Sequence, residues 1–294
     1  MNKVGFIGVG IMGKSMVRNL MKAGFELHIY ARTKSKVEDV ISEGAQFHES
    51  IKDCVQDCDA VITIVGFPQD VEEVYFDEGN ILDSAKEGAY LIDMTTTSPQ
   101  IAEKIYEEGI KRGFHVMDAP VTGGDTGAKA GTLSILVGGE KEDYEACMPL
   151  FEAMGTNINY QGKAGCGQHC KLANQIMIAG TLSGVCEALT YAKEQGLDPE
   201  VFMKSVATGA AGSKQLDTFG PKILKDDYAP GFFIKHFIKD MKLALIEANR
   251  KGLSLDVLSM VLANYEELEQ EGYGDLGTQA LMKFYDEEHR NMEE

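Results

Sequence analysis

The hydrophobic and polar positions divide the chain into two parts. In the first 162 residues, short apolar runs alternate with amphipathic stretches of helical period. The predicted strands are Lys3–Ile7, Leu27–Tyr30, Ala60–Val65, Tyr90–Asp93, Val116–Asp118 and Thr132–Val137. The predicted helices are Ile11–Ala23, Lys34–Glu43 and Gln100–Lys111. Such alternation is typical of βαβ units and of a mostly parallel sheet with helices on both faces.

Beyond residue 162 the pattern indicates helices alone. No proline interrupts the stretch from Lys171 to Gln195, where apolar residues recur at helical spacing. Glycine-containing breaks separate the later helical stretches. We therefore predict a doubly wound α/β domain over residues 1–162 and an all-α domain over residues 163–294, joined by a long helix.

Composition and charge narrow the classes of function. Apolar residues make up 44% of the chain and charged residues 25%, as in globular proteins. The formal net charge of −18 opposes contact with nucleic acid. No apolar run approaches the ~18–20 residues of a membrane span, and the first residues resemble no targeting peptide. We expect a cytoplasmic protein without nucleic-acid or membrane partners, in which local cations or backbone N–H groups bind any anionic ligand.

The six cysteines give no CxxC pair and no disulfide framework, so we expect reduced thiols. Cys166, His169 and Cys170 lie close together in the sequence. A tetrahedral zinc site needs further ligands at suitable spacing, and none is found. We therefore predict no metal site.

A glycine-rich turn follows the first predicted strand. Gly8, Gly10 and Gly13, with Ile11 and Met12 between them, match G-x-G-x-x-G and open an amphipathic helix. The first glycine permits a tight turn, the second lets a pyrophosphate approach the backbone, and the third allows close packing of the helix on the sheet. The helix N-terminus supplies N–H groups to an anion. The motif predicts a Rossmann-like domain that binds a dinucleotide.

The end of the second strand indicates which dinucleotide. An NAD site usually has an acid there, about 20 residues after the turn, to bind the ribose 2′-hydroxyl. This chain has Arg32 and Thr33 and no acid before Glu38. A guanidinium can pair with a 2′-phosphate, and a hydroxyl can add a hydrogen bond. We predict NADP as the cofactor, with NAD also possible.

Four further segments lie in order along the chain: Asp118–Gly124, Gly165–Gln175, Lys239-Asp240 and Gly274–Gln279. Together with the glycine turn they resemble the β-hydroxyacid dehydrogenase family. This family includes 3-hydroxyisobutyrate dehydrogenase, tartronate semialdehyde reductase and glyoxylate/succinic semialdehyde reductases. Thr122 stands where the commoner residue is Ser, and Gln175 stands where many members have a second Asn.

The resemblance implies roles for individual residues. Lys171 would be the general acid/base. The residues implied to bind the substrate are Thr122, Gly123, Gly124, Asn174, Gln175 and Asp240. Besides the glycine turn, Arg32 and Thr33, the residues implied to bind the cofactor are Val65, Thr96 and Lys239.

The expected function is hydride transfer between NADP and a small β-hydroxyacid or semialdehyde that carries a carboxylate. The motifs do not select among 3-hydroxyisobutyrate, tartronate semialdehyde, glyoxylate and succinic semialdehyde. The resemblance also implies a homodimer or homotetramer. The alternatives are an enzyme like 6-phosphogluconate dehydrogenase or imine reductase, or a non-catalytic NADP-binding sensor or scaffold.

Overall fold

The computed structural model describes residues 1–286. The chain forms two compact units, Met1–Lys171 and a second unit that begins at Leu172. The predicted domain boundary at residue 162 precedes this division, and it stays a prediction. Each unit is described by itself below.

The first unit contains a mixed sheet. Its strands are β1 (Lys3–Ile7), β2 (Glu26–Tyr30), β3 (Gln46–His48), β4 (Ala60–Thr63), β5 (Tyr90–Asp93), β6 (His115–Asp118), β7 (Val121–Thr122), β8 (Leu133–Gly139) and β9 (Gly155–Gly162). The spatial order is β3-β2-β1-β4-β5-β6-β8-β7, and β9 pairs with β8. From β3 to β6 all neighbours are parallel, whereas β8 runs antiparallel to β6 and β7. The order 3-2-1-4-5-6 is that of the doubly wound Rossmann fold, which confirms the predicted fold class.

Alternation along each central strand produces the two cores of this unit. On β1, Val4 and Phe6 are fully buried on one face of the sheet, and Ile7 is buried on the other. Neighbouring strands divide in the same way, with Ile62 and Val61 in opposite cores. Because side chains alternate with period two, this parallel sheet needs helices on both faces.

The helices of the first unit are α1 (Ile11–Lys22), α2 (Glu38–Ser42), α3 (Ile51–Val55), α4 (Pro68–Phe76), α5 (Ile81–Ser84), α6 (Pro99–Lys111), α7 (Gly124–Ala130), α8 (Lys141–Ala146) and α9 (Met148–Met154). The predicted helix Lys34–Glu43 is wrong in length. A 3₁₀ turn covers Lys34–Lys36, and α2 begins only at Glu38. Val37 and Val40 are the buried residues of this segment, so a short element suffices to bury its apolar side chains.

The described part of the second unit is helical, as predicted. Its helices are α10 (Cys166–Glu194, which starts in the first unit), α11 (Pro199–Ala207), α12 (Lys214–Ile223), α13 (Ile234–Arg250) and α14 (Asp256–Gln270), with 3₁₀ turns at Tyr273–Asp275 and Thr278–Leu281.

Helix α10 is long and apolar enough to cross a membrane by length and composition alone, contrary to the sequence-based expectation that no stretch would be. Its Leu182 and Leu189 are fully buried, and they belong to the same core as Phe237 and Tyr265. The apolar side chains of α10 therefore contribute to the hydrophobic core of this unit.

Candidate active site

The glycine turn between β1 and α1 has the geometry of a dinucleotide-binding turn. Gly8 has a φ of +96°, and a Cβ there would lie 2.1 Å from the carbonyl oxygen of Ile64. A Cβ on Gly13 would lie 2.1 Å from the carbonyl oxygen of Gly8. A Cβ on Gly10, by contrast, would meet no atom within 4 Å. The outer glycines are thus needed for close packing, and the middle one leaves open space beside the start of α1, which fits a bound pyrophosphate.

Val65 and Thr96 lie in the segments that follow β4 and β5. These strands are neighbours, so both segments start at the same edge of the sheet as the glycine turn. The N–H of Val65 donates a hydrogen bond to the Thr95 hydroxyl at 3.0 Å. This hydrogen bond joins the two segments at Val65 and next to Thr96, which are the two predicted cofactor contacts.

A buried acid supports this junction. Asp93, the last residue of β5, is 2% exposed. Its Oδ1 accepts hydrogen bonds from the Thr63 hydroxyl at 2.7 Å and from the Thr95 N–H at 3.1 Å. Burial raises the pKa of Asp93 to about 6, although these hydrogen bonds favour the carboxylate. Asp93 is not among the predicted site residues.

A second strand-end acid, Asp118 of β6, fixes the start of α10. Its two carboxylate oxygens accept the N–H groups of Gly165 at 2.7 Å and Gln168 at 2.8 Å. A Cβ on Gly167 would lie 2.7 Å from the same carboxylate, so this glycine is required at its position. Burial raises the pKa of Asp118, and the two N–H groups oppose that shift.

The side chain of Gln168 ties the start of α10 to the segment that contains Thr96. Its Oε1 accepts from the Thr97 N–H at 3.0 Å, and its Nε2 donates to the Thr95 carbonyl at 2.7 Å. Gln168 is fully buried. Sequence reasoning missed this residue because its partners lie more than 70 positions away.

Thr122, Gly123 and Gly124 lie at the junction of β7 and α7. Gly123 has a φ of +130° and Gly124 a φ of +64°, values that favour glycine. Thr122 is half-buried and both glycines are exposed. The junction therefore exposes backbone groups beside a hydroxyl, and its role in binding a carboxylate stays a prediction.

Arg32 has a neighbour that the sequence analysis did not foresee. Its side chain is 75% exposed, and Nη1 lies 3.3 Å from Oδ1 of Asp70 in the first turn of α4. Thr33, the other residue predicted to discriminate the 2′ position, is also exposed.

Lys171 lies on α10 in the second turn after Gly165, and its residue is 7% exposed. A lysine on a helix is commonly a surface side chain, with its stem along the helix and its ammonium in water. The burial contradicts that interpretation. Its role as a general acid/base stays a prediction.

In the second unit, four of the predicted residues form one polar chain. Asn174 Nδ2 donates to Gln175 Oε1 at 2.8 Å, and Gln175 Nε2 donates to Asp240 Oδ2 at 2.6 Å. The other carboxylate oxygen of Asp240 lies 3.0 Å from Lys239 Nζ. Gln175 and Asp240 are each 1% exposed. Gln175 and Asp240 therefore connect Asn174 to Lys239 through buried polar contacts.

Within residues 1–286, no group of three or more His, Cys, Asp or Glu side chains is placed to hold a metal ion.

Comparison with known proteins identifies the family. The model of the NAD binding domain of 6-phosphogluconate dehydrogenase matches residues 3–162. A model described as NAD-binding of NADP-dependent 3-hydroxyisobutyrate dehydrogenase matches residues 165–285.

Two relatives and one solved structure show the same likeness. An uncharacterized oxidoreductase of Bacillus subtilis is 50% identical over 96% of this chain and 98% of its own length. An Arabidopsis thaliana protein named "Probable 3-hydroxyisobutyrate dehydrogenase-like 1, mitochondrial" is 44% identical over 95% of this chain and 84% of its own. The structure of Mycobacterium tuberculosis 3-hydroxyisobutyrate dehydrogenase with L-serine superposes with a TM-score of 0.88 at 26% identity, covering 96% of this chain and 98% of that one.

The glycine turn, the order of the sheet strands and these matches agree. The chain belongs to the β-hydroxyacid dehydrogenase family and is an NAD(P)-dependent hydroxyacid dehydrogenase.

Proposed function

We propose that this protein interconverts a small β-hydroxyacid and the corresponding semialdehyde with NADP as the preferred cofactor, and that Lys171 is the general acid/base. The burial of Lys171 at 7% exposure is the observation that carries this proposal. The nicotinamide cofactor, when bound, supplies or receives the hydride. 3-Hydroxyisobutyrate fits this description, and tartronate semialdehyde is a semialdehyde of the same kind. Glyoxylate and succinic semialdehyde, which are reduced to α- and γ-hydroxyacids, are further candidate substrates because they also combine a short aldehyde with a carboxylate.

The role of Lys171 follows from charge. Reduction of a carbonyl develops negative charge on its oxygen, and an ammonium hydrogen-bonded there stabilises that charge and then donates its proton. In the oxidative direction, the neutral amine accepts the proton of the alcohol. A lysine in water has a pKa of about 10.4, and desolvation or a nearby cation favours the neutral amine that the oxidative direction requires.

We assign the substrate carboxylate to Thr122 and the backbone of Gly123 and Gly124. The polar chain from Asn174 to Asp240 is assigned to orienting the substrate oxygen, with Gln175 as a positioning residue. The domain boundary near residue 162, a cytoplasmic location and a homodimer or homotetramer complete the proposal.

Lys171→Ala tests the acid/base role. We expect kcat to fall by about 10²- to 10⁴-fold, while the Kd for NADPH, measured by fluorescence titration, stays nearly unchanged. Lys171→Arg keeps a cation that cannot readily lose its proton, so it should not restore oxidation. Lys193→Ala, at the exposed end of the same helix, is the matched control and should behave as the unmodified protein. Near-normal kcat in Lys171→Ala contradicts the proposal.

Thr122→Ala tests carboxylate binding. The carboxylate is bound in both the ground state and the transition state, so KM for succinic semialdehyde should rise more than kcat falls. Butanal, which lacks the carboxylate, should show no such change. Thr126→Ala, on an exposed position of α7, is the control. An equal effect on both aldehydes removes the assignment.

A further inference from the structure

An ion pair joins the two segments that flank the glycine turn. Arg32 follows β2, and Asp70 lies at the start of α4, which follows β4. Strands β2 and β4 are the two neighbours of β1 in the sheet. The pair of Arg32 Nη1 and Asp70 Oδ1, 3.3 Å apart, therefore lies beside the end of β1, where the turn that fits the pyrophosphate begins.

The carboxylate is the fixed member of this pair. Asp70 Oδ2 accepts the N–H of Phe67 at 2.9 Å, which anchors the carboxylate at the N-terminus of α4. The Asp70 side chain is 19% exposed, against 75% for Arg32. A guanidinium with that exposure can rearrange around a ligand, whereas the carboxylate stays at its anchored position.

This geometry changes the expected preference for the cofactor. A 2′-phosphate that pairs with Arg32 brings up to two negative charges close to Asp70 and competes with it for the guanidinium. A 2′-hydroxyl brings no charge, and it can donate a hydrogen bond to a carboxylate. An acid is absent after β2, but one lies next to Arg32 on the neighbouring segment.

We propose that Asp70 is a specificity-determining residue that weakens binding of the 2′-phosphate and so narrows the preference for NADP over NAD. The inference rests on the proposed contact between Arg32 and the 2′-phosphate. The two residues have opposite effects on cofactor preference: Arg32 favours NADP, and Asp70 opposes that preference.

The test measures the Kd of NADPH and NADH by fluorescence titration without substrate. Asp70→Asn removes the charge and keeps an oxygen for the Phe67 N–H. Its Kd for NADPH should fall about two- to five-fold, the range expected for one exposed charge pair, and its Kd for NADH should stay equal or rise. At 1 M salt the gain should disappear, because the Debye length falls to about 3 Å. The pair 2′,5′-ADP and ADP should show the same pattern.

Glu72→Gln is the matched control. It removes one negative charge from the same helix, and its partner is Lys104 rather than Arg32. It should change the two Kd values equally or not at all. Asp70→Ser, which also keeps an acceptor for Phe67, should reproduce Asp70→Asn if the first variant lowers stability.

The variant Arg32→Ala distinguishes a failure of the proposed NADP preference from a failure of the inference about Asp70. If this variant weakens NADPH and NADH equally, the 2′-phosphate contact is absent and the proposed NADP preference is wrong. If it weakens NADPH alone while Asp70→Asn and Asp70→Ser change neither Kd, Arg32 keeps its role and the inference about Asp70 is overturned.

Discussion

The buried carboxyl group of Asp93 should make the stability of the protein depend on pH, and Asp93→Asn should remove that dependence. Asp93 has a pKa of about 6 in the folded protein, against 3.8 for an unperturbed carboxyl. An acid whose pKa is raised on folding destabilises the folded state as the pH rises. The free energy of unfolding begins to fall near pH 3.8, continues to fall up to about pH 6 and is constant above that pH.

The shift sets the magnitude. About two pKa units correspond to a cost of about 3 kcal/mol at pH 8, where the group is charged in both states. At pH 5 the folded state is mostly protonated and the unfolded state mostly charged, so the cost is about 2 kcal/mol. The free energy of unfolding of Asp93→Asn, relative to the unmodified protein, should therefore be higher at pH 8 than at pH 5 by on the order of 1 kcal/mol.

The substitution is close to isosteric. An amide oxygen can still accept the hydrogen bonds from Thr63 and Thr95. The amide nitrogen replaces Oδ2, which has no hydrogen-bond partner among the residues that the structure describes. Any structural cost is common to both pH values, so it cancels in the comparison.

Urea unfolding followed by far-UV circular dichroism at pH 5 and pH 8 measures the difference. Asp57→Asn, which removes the same charge from an exposed position, should change the free energy of unfolding by less than about 0.5 kcal/mol at both pH values. An equal stability change of Asp93→Asn at pH 5 and pH 8 would contradict the raised pKa of Asp93.

Two further predictions concern backbone space and assembly. Gly13→Ala should lower the melting temperature markedly, because its Cβ would lie 2.1 Å from the carbonyl oxygen of Gly8. Gly10→Ala should keep the melting temperature but raise the Kd for NADPH, because its Cβ would enter open space beside the start of α1. Equal melting temperatures of the two variants contradict this prediction. The second unit exposes large apolar side chains such as Val257, at 58%, so Val257→Glu should reduce the mass measured by light scattering from an oligomer to a monomer. Ile110→Glu, in the first unit, should leave that mass unchanged, and a monomeric unmodified protein contradicts the prediction.

Structural features are best predicted from the sequence where their physical cause lies in neighbouring residues. The glycine turn is recognisable because Gly8 and Gly13 are required by contacts within the same strand, turn and helix, or with the next parallel strand. The central strands are recognisable because they are buried on both faces. Strand β9 gave no signal, since most of its side chains are polar and at least partly exposed, and it is fixed by backbone pairing with β8.

Residues of the candidate site that depend on distant partners could not be predicted in this way. Asp70 meets Arg32 only because the chain places β1 between β2 and β4, and the two residues are 38 positions apart. Gln168 acquires its role from a segment more than 70 positions away. A strand-end acid such as Asp118 is visible in the sequence, but its function as an anchor for α10 depends on the path of the chain between them.

Local compensation of acids explains how so acidic a chain can bind a dinucleotide. Asp118 accepts two backbone N–H groups, and the first turn of α1 contains no acidic residue. At physiological salt, exposed charges beyond about 8 Å are largely screened, so a small anion responds mainly to the groups around it. The net charge of −18 acts on ligands that cover a large surface, such as a nucleic-acid backbone. The same charge is therefore compatible with NADP at the glycine turn and unfavourable for a polyanion.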